Sequence, residues 1–353
     1  MTQELKIQEN VELAPFTTLG VGGPARLFVR VKYEAELIEA FRFAHERRME
    51  VLVIGGGSNL VISDKGFDGI VIQVGMQGTY FSPASAEGYV ELTAAAGEMW
   101  DDVVRDTVEG HLAGLECLSG IPGLVGGTPV QNVGAYGQEV SETIASVRCY
   151  DRHEGKIVDL SNEQCGFAYR SSIFNSSAAG RYVVTSVTYR LREGGEPKII
   201  YPELIRELDA GKTGVTSPSV SDVREAVLRI RRKKSMVIDP DDPNSRSAGS
   251  FFKNPVVTEE VLNSVASVTP DPPFFRMPDG RVKVPAAWLI EQSGFHKGYT
   301  AGNVGISEKH SLAIINKGGA TADEVIGLMT AISNAVKEKF GIDLHPEPVL
   351  VGF

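Results

Sequence analysis

The chain has 353 residues, of which 42% are hydrophobic and 23% charged, a composition typical of a soluble globular protein with two or three packed domains. Lys and Arg number 35 and Asp and Glu number 45, so the net charge is −10, which argues against a broad nucleic-acid-binding or anionic-membrane surface. No apolar run approaches the ~18 residues that a membrane span needs.

The cysteines, the histidines and the N-terminal sequence further limit the class of protein. Met1–Lys6 shows no basic start followed by an apolar segment, so we expect no secretory signal and a cytoplasmic protein. Cys117, Cys149 and Cys165 form no Cys-x-x-Cys pair and predict reduced, mostly buried thiols. The six histidines lack a His-x-x-x-His spacing, and we predict no protein-bound metal.

Hydrophobic periodicity predicts the elements of the first half of the chain. Ala25–Val31 predicts a strand, Tyr33–Arg48 a helix and Val51–Ile54 a short buried strand, which together begin an α/β layer. The elements predicted next are strands at Leu60–Ile62, Gly69–Val74 and Tyr89–Ala96, a helix at Met99–Glu109, a hairpin of Ile144–Asp151 with Lys156–Leu160, and a strand at Tyr182–Leu191.

The second half predicts mostly helices. Val220–Lys234 predicts a helix with a strongly basic end. A capping box at Thr321 and Glu324 begins a long helix that runs to Phe340. Between them the pattern predicts helices at Thr258–Ser267 and Pro285–Ser293 and a strand at Leu312–Ile315.

A glycine-rich turn follows the predicted strand Val51–Ile54. Its sequence is Gly55-Gly56-Gly57-Ser58-Asn59, and glycine lets bare backbone N–H groups approach a phosphate closely. The turn lacks the Gly-Lys-Ser/Thr of a Walker loop, and Leu60 stands where a Rossmann fingerprint has its third glycine. The turn is therefore a candidate phosphate cradle, with a plain tight turn as the alternative.

A second glycine-rich segment, Ser119–Gly137, carries Gly120, Gly123 and Gly126 at regular spacing, followed by Gln131 and Asn132. Neither a helix nor a strand tolerates this density of glycine and proline. Such a backbone can lie flat against a planar ring and present N–H groups and amides to it, as the edge of a flavin requires. A flexible loop is the alternative.

Charged residues suggest a site for anions. Arg170 lies among apolar and aromatic neighbours, and its planar fork suits a carboxylate or a developing negative charge. Arg229–Lys234 holds five cations in six residues of an acidic chain, which fits a diphosphate. The alternatives are a structural salt bridge for Arg170 and solvent-facing charges at a helix end for the basic cluster.

Two further residues are candidates for a functional site. Ser250 follows a glycine and precedes two phenylalanines; no His-Asp partner for a nucleophile is evident, so proton donation is the better functional interpretation. Glu347 lies between Pro346 and Pro348, which fix the backbone that aims its carboxylate. A turn serine and an exposed glutamate are the alternatives.

In their joint order these segments resemble the UDP-N-acetylenolpyruvoylglucosamine reductases of bacterial peptidoglycan synthesis over nearly the whole chain. The matching segments are Asn10–Leu19, Gly55–Leu60, Gly120–Gly123 through Asn132–Gly137, Tyr169–Phe174, Ala248–Pro255 and Pro346–Val349.

The resemblance implies an α+β architecture, with a two-lobed FAD-binding domain of the vanillyl-alcohol oxidase-like (PCMH-type) fold and a C-terminal α+β substrate-binding domain. It implies a first FAD-binding lobe at residues 1–75, joined by a C-terminal strand at 343–353, a second lobe at 76–225 and a substrate-binding domain at 226–342. FAD would be bound non-covalently. Its contacts would be Gly55, Gly56, Gly57, Ser58, Asn59, Ser119, Gly120, Ile121, Gly123, Gly126, Gly127, Gln131, Asn132, Gly134 and Ala135.

The resemblance also implies the chemistry. NADPH would reduce the flavin, which would pass a hydride to C3 of an enolpyruvyl nucleotide sugar. Ser250 would protonate C2, while Arg170 and Glu347 would stabilise the enolate-like intermediate. Four residues match substrate contacts, Tyr169, Lys234, Asn254 and Tyr201, the last as a mobile lid tyrosine. We expect no nucleic acid, membrane or obligate protein partner.

Two other functions remain open on the sequence. One is an FAD oxidase or dehydrogenase of the same fold that acts on an unrelated alcohol, against which the basic cluster and Ser250 count. The other is a non-catalytic nucleotide-sugar sensor, against which the intact Arg170, Ser250 and Glu347 count.

Overall fold

A computed structural model of the chain describes residues 5–210, 217–277 and 279–353. Residues 1–4, on which the absence of a secretory signal was partly predicted, lie outside the described residues, as do residues 211–216 of the predicted second segment and residue 278 of the third. No helix of the described ranges has both the length and the apolar character needed to cross a membrane.

The described residues form α-helices, together with strands of two to twelve residues. The helices are α1 Glu34–Glu46, α2 Trp100–Glu109, α3 Pro202–Ala210, α4 Val220–Lys233, α5 Glu259–Val268, α6 Ala286–Gln292 and α7 Ala322–Phe340. The strands are β1 Gln8–Glu12, β2 Pro24–Val31, β3 Val51–Ile54, β4 Leu60–Ile62, β5 Phe67–Val74, β6 Thr79–Phe81, β7 Tyr89–Ala95, β8 Leu112–Ala113, β9 Gly134–Ala135, β10 Gln138–Glu139, β11 Ile144–Asp151, β12 Lys156–Ser161, β13 Tyr182–Glu193, β14 Val256–Val257, β15 Phe275–Arg276, β16 Val282–Lys283, β17 Thr300–Ala301, β18 Val304–Ile306, β19 Ile314–Asn316 and β20 Val349–Val351.

The chain divides into two compact units, each built from separate stretches of sequence. The first unit comprises residues 1–11, 25–56 and 68–237, and the second comprises residues 12–24, 57–67 and 238–353. The predicted division into segments 1–75, 76–225 and 226–342 is drawn along the sequence and stays a prediction. The mixture of parallel and antiparallel pairing with helices confirms the α+β class.

The first unit contains two sheets. One has the order β1-β2-β5-β3, in which β3 and β5 are parallel, and the other has the antiparallel order β12-β11-β13-β7-β6, with β8 added to β13. The apolar stripe of α1, which includes Leu37 and Phe41, and that of α2, which includes Trp100 and Val104, enter the same core. Burying these side chains stabilises the unit by about 1.5–3 kcal/mol for each large one.

Helices α3 and α4 belong to the same unit and form a smaller core of their own. Leu204 and Leu208 of α3 pack with Val223 and Val227 of α4 and with Cys117. Helix α4 begins with a capping box in which the Ser219 side chain accepts a hydrogen bond from the N–H of the third helical residue. These two helices therefore lie against the start of the segment Ser119–Gly137.

The second unit surrounds a core lined by α5, α6 and α7. Its strands form the sheets β14-β16-β15 and β17-β18-β19 and the parallel pair β20-β4. The predicted capping box of α7 is present, because the Thr321 hydroxyl accepts from the Glu324 N–H while the Glu324 carboxylate accepts from the Thr321 N–H. Asp64 accepts from the N–H groups of Ala322 and Asp323, which places a negative charge at the positive end of the helix.

Most elements lie within a residue or two of their predicted positions, and the three cysteines are buried and free as predicted. Burial raises the pKa of the Cys165 thiol to about 11, so it stays protonated near neutral pH. The main element that the sequence pattern did not predict is α3. Its nine residues include a proline at the first position, and so short an apolar stripe is hard to distinguish from a loop.

Candidate active site

The turn after β3 approaches the second glycine-rich segment within the first unit. A Cβ atom on Gly56 would lie 3.1 Å from the Cα of Gly123 and 3.3 Å from the Cγ of Leu124. Two of the segments predicted to bind one cofactor are thus in contact through bare backbone. A side chain at position 56 would force them apart, which explains the glycine there.

The rest of the turn belongs to the second unit. Gly57 has φ +63°, and a Cβ atom there would overlap the carbonyl oxygen of Phe16. The N–H of Thr18 donates to the Gly57 carbonyl over 3.3 Å. Asn59 is tied to the segment around residue 347: its Nδ2 donates to the Glu347 carbonyl over 3.2 Å, and its own carbonyl accepts from the Val349 N–H over 2.9 Å. Ser58 is partly exposed.

The segment Ser119–Gly137 is ordered by specific contacts. The Val125 and Gly126 N–H groups donate to the carbonyls of Glu98 and Ala96, both over 2.9 Å. A Cβ atom on Gly126 would come within 2.7 Å of the Ala96 Cβ. At Gly127, in contrast, nothing described lies within 4 Å. The backbone therefore packs against the protein at Gly126, whereas at Gly127 there is space for a ligand.

An ion pair holds the beginning of the segment. The Gly120 N–H donates to the Asp101 carboxylate over 2.5 Å, and Arg224 donates to both oxygens of the same carboxylate over 2.7 and 2.9 Å. Burial acts to raise the pKa of Asp101, but the hydrogen bonds from Arg224 and Gly120 outweigh it and hold the pKa below its ordinary value.

A buried carboxylate that sequence reasoning missed holds both ends of the segment. Glu116 is fully buried and accepts from the N–H groups of Gly114 and Lys198 and from Nε2 of Gln138, over 2.7, 2.9 and 3.1 Å. Its carbonyl accepts from the Ser119 hydroxyl over 2.7 Å. A glutamate within an apolar run was the available signal, because such a residue is rarely buried without partners.

The end of the segment leads to Arg170. Asn132 has φ +44° and is buried; its Nδ2 donates to the Glu139 carboxylate and to the Ala168 carbonyl. The Arg170 Nη2 donates to the Gly134 carbonyl over 2.8 Å. Arg170 also has a positive φ, +53°, and its guanidinium lies 5.7 Å from the ring centroid of Tyr169. Arg170 is thus joined to the predicted cofactor segment. Other predicted contacts in this segment, Ile121, Gln131 and Ala135, are partly exposed.

Ser250 and Glu347 lie together in the second unit. The Glu347 N–H donates to the Phe251 carbonyl over 2.9 Å, so the two candidates occupy adjacent backbone segments. The Ser250 Oγ lies 3.2 Å from Nε2 of His310. The sequence showed no histidine partner for Ser250, and that reading is incomplete: His310 lies in a distant loop that only the fold brings to it. Asn254 accepts a hydrogen bond from the Ala286 N–H at the start of α6 over 2.9 Å.

Tyr201 and Lys234 lie in the first unit. Tyr201 is 42% exposed and packs edge-on against Tyr136, with 5.6 Å between ring centroids. Burial raises the pKa of Tyr136 to about 12. The Nζ of Lys234 lies 2.6 Å from the carboxylate of Glu203.

The basic cluster is largely paired with acidic residues of α3. Glu207 binds Arg229 over 3.0 Å and Lys233 over 2.8 Å, while Arg231 is 7% exposed and donates to the Met236 carbonyl. The sequence predicted five available cations, whereas the fold pairs or buries most of them. Because the sequence pattern did not predict α3, it also could not predict that acidic residues of this helix pair with the basic cluster.

The site residues thus form two groups, one in each unit. In the first, Gly55, Gly56, the segment Ser119–Gly137 and Arg170 offer N–H donors and one cation beside open backbone. In the second, Ser250, His310 and Glu347 offer a hydroxyl, an imidazole and a carboxylate. N–H donors with open backbone suit a phosphate-bearing planar cofactor, and the second group suits proton transfer.

Known proteins are similar to this chain in sequence and in fold. The family models for an FAD binding domain and for the UDP-N-acetylenolpyruvoylglucosamine reductase C-terminal domain match residues 25–161 and 241–351. The UDP-N-acetylenolpyruvoylglucosamine reductase of Thermobifida fusca is 47% identical over 351 residues, 97% of each chain. That of Streptomyces coelicolor is 46% identical over 96% of this chain and 89% of its own. The crystal structure of a UDP-N-acetylenolpyruvylglucosamine reductase from Thermus caldophilus matches 99% of both chains, with a TM-score of 0.65 and 26% identity.

Proposed function

The chain belongs to the UDP-N-acetylenolpyruvoylglucosamine reductase family of FAD-dependent oxidoreductases, and from this premise we propose that it reduces UDP-N-acetylglucosamine enolpyruvate to UDP-N-acetylmuramate with NADPH. The observation that carries the proposal is that Ser250 and Glu347 lie on neighbouring backbone segments, which the Glu347 N–H and the Phe251 carbonyl join. A hydroxyl that can give a proton and an acidic side chain on neighbouring segments suit the reduction of an enolpyruvyl ether, which needs a proton at C2.

The first unit suits FAD. The close approach of Gly56 to Gly123 and the open space at Gly127 leave backbone accessible where a side chain would block a ligand. When bound, FAD supplies the hydride that reaches C3 of the enolpyruvyl group. Gly55, Gly56, Gly57, Ser58 and Asn59 would bind its phosphates, and the residues predicted within Ser119–Ala135 would bind its ring, without a covalent bond.

Residues of the chain then stabilise the negative charge of the intermediate and supply the proton to C2. Ser250 donates its hydroxyl proton to C2 of the substrate. Arg170 would bind the enolpyruvyl carboxylate, and Glu347 would stabilise the negative charge that develops by donating a hydrogen bond as a carboxylic acid, since preorganised groups at such a position are usually the largest catalytic contribution. The Arg170 guanidinium is held by the Gly134 carbonyl, which reduces the cost of orienting it during the reaction.

The nucleotide part of the substrate would contact Tyr169, Tyr201, Lys234 and Asn254. Lys234 neutralises diphosphate charge and exchanges its Glu203 partner for the substrate. Tyr201, which packs against Tyr136 at nearly a right angle and is 42% exposed, closes over the nucleotide. The absence of nucleic acid, membrane and obligate protein partners, and the cytoplasmic location, stay predictions that pull-down and cell fractionation would check.

Anaerobic spectroscopy tests the proposal. Purified protein should show flavin absorbance that bleaches with NADPH and returns when the enolpyruvyl nucleotide sugar is added. Ser250→Ala should leave bleaching within about twofold of wild type and slow the return by about 10²–10⁴-fold, the usual contribution of a general acid. Ser264→Ala, an exposed serine of α5, is the matched control and should change neither rate.

Three results would contradict the proposal in different ways. A protein that stays colourless after FAD is added is not a flavoenzyme, and a sensor would then be the better reading. Absorbance that bleaches but never returns with this substrate would favour an oxidoreductase of the same fold with another substrate. Equal loss of both half-reactions in Ser250→Ala would remove Ser250 from the protonation step.

A further inference from the structure

A histidine to which the sequence analysis assigned no role lies beside the proposed proton donor. The Nε2 of His310 is 3.2 Å from the Ser250 Oγ, and both residues are partly buried in the second unit. We propose that His310 is a positioning residue that orients the Ser250 hydroxyl and replaces its proton after transfer. The proposal rests on the proposed function, because it gives a role to a residue that acts through Ser250.

The backbone holds the pair in register. The Phe251 N–H donates to the Leu312 carbonyl over 2.8 Å, and the His310 carbonyl accepts from the Ala313 N–H over 3.1 Å. On its other side the Phe251 carbonyl accepts from the Glu347 N–H. Phe251 is fully buried. The segment that carries Ser250 is therefore fixed between the loop of His310 and the segment of Glu347. These backbone hydrogen bonds hold the two side chains at the distance of 3.2 Å.

The chemistry of serine makes a partner necessary. A serine hydroxyl that gives its proton to carbon becomes an alkoxide, which is far more basic than imidazole, whose unperturbed pKa is about 6.5. If His310 donates Nε2–H to Oγ, the hydroxyl's own proton is directed away from the imidazole and toward the substrate. The opposite arrangement, with Ser250 donating to Nε2, would prepare a nucleophile and would hold back the proton.

The proton transfers balance in two steps. The electron pair on C2 of the enolate takes the proton from Oγ, so a C–H bond forms and an O–H bond breaks. The alkoxide then takes the proton from Nε2 of the imidazolium, which leaves a neutral His310. Since His310 is partly exposed, water returns the proton to the imidazole before the next turnover. Neither proton transfer changes an oxidation state, and the hydride transfer is the only redox step.

The test uses the holoenzyme and both half-reactions. His310→Phe removes the donor, and we expect bleaching by NADPH within about twofold of wild type but a return of flavin absorbance at least ~10-fold slower. His310→Gln retains an N–H donor that cannot transfer a proton, and its return should stay within about threefold of His310→Phe. In steady state kcat should fall while the KM for the nucleotide sugar stays within about threefold. His296→Gln, an exposed histidine of the same unit, is the control.

A double variant separates this role from simple support of the fold. If His310 acts through Ser250, flavin absorbance should return in the double variant Ser250→Ala with His310→Phe at the same rate as in Ser250→Ala alone, within about twofold. Multiplication of the two effects, or a wild-type rate in either His310 variant, overturns the proposal. These results differ from failure of the proposed function, in which wild-type absorbance would not return or Ser250→Ala would leave the return unchanged. A wild-type enzyme that never reoxidises with this substrate overturns both.

Discussion

Substitution of Gly57 by alanine probes the turn that carries the proposed phosphate cradle. Two costs add at this position. The left-handed backbone, φ +63°, costs about 1–2 kcal/mol in any residue with a Cβ. The new Cβ atom would overlap the Phe16 carbonyl oxygen and lie 2.8 Å from its carbon and 2.9 Å from the Thr17 Cα. All three atoms belong to backbone, so relief requires movement of the chain, and the total should reach at least about 3 kcal/mol.

Gly341→Ala provides the matched control, because Gly341 has φ +68° and nothing described within 4 Å. Its cost should be only the backbone share, about 1–2 kcal/mol. Thermal unfolding of the FAD-free protein, followed by circular dichroism, avoids stabilisation by ligand. At about 3 °C per kcal/mol for a unit of this size, we expect Tm to fall by about 9 °C or more in Gly57→Ala and by about 3–6 °C in Gly341→Ala. Equal shifts would refute the close approach of Gly57 to Phe16.

Two further substitutions test the proposed lid and the ion pair beneath the cofactor segment. Tyr201→Phe should raise the Kd of the nucleotide sugar about tenfold, the value of one hydrogen bond to a charged group, while bleaching by NADPH changes less than about twofold; unchanged affinity in calorimetry would remove the lid role. Asp101→Asn should lower stability by about 1–2 kcal/mol at pH 7. Because the folded pKa of Asp101 is lowered, its contribution is present above the unfolded pKa of about 3.9 and is lost as pH falls through the folded value. The difference in free energy of unfolding between the wild type and Asp101→Asn, measured by denaturation, should therefore be smaller at pH 3 than at pH 7. An equal difference at the two pH values would contradict the ion-pair account.

Local patterns predicted the elements well where one face is buried. The hairpin of β11 and β12 and the capped start of α7 follow from alternation and from a capping box, both of which depend on residues close in sequence. Helix α3 was missed because its pattern is short. That omission hid the partners of the basic cluster, since Glu203 and Glu207 lie on this helix.

The candidate site rests on motifs and stays a prediction, and the contacts that support its residues in the fold were not predicted. The glycine spacing predicted backbone open to a ligand; nothing described lies within 4 Å of a Cβ atom at Gly127, whereas Gly56 packs closely against Gly123. The burial of Glu116 and the contact between His310 and Ser250 depend on segments far apart in the chain. Local periodicity carries no information about such pairs, so only the folded chain could supply them.

The parallel pair β20-β4 has a consequence for how the protein is made. It joins residues 349–351 to residues 60–62, and contacts between such distant segments carry a large loop-closure entropy and form slowly. The residues of the first unit all precede residue 238, so that unit can begin to fold during translation. The segment that aims Glu347 joins Asn59 and Phe251 only after residues 345–351 have been synthesised. A nascent chain that already carries Arg170 and Ser250 therefore lacks these contacts of Glu347 until residues 345–351 have left the ribosome.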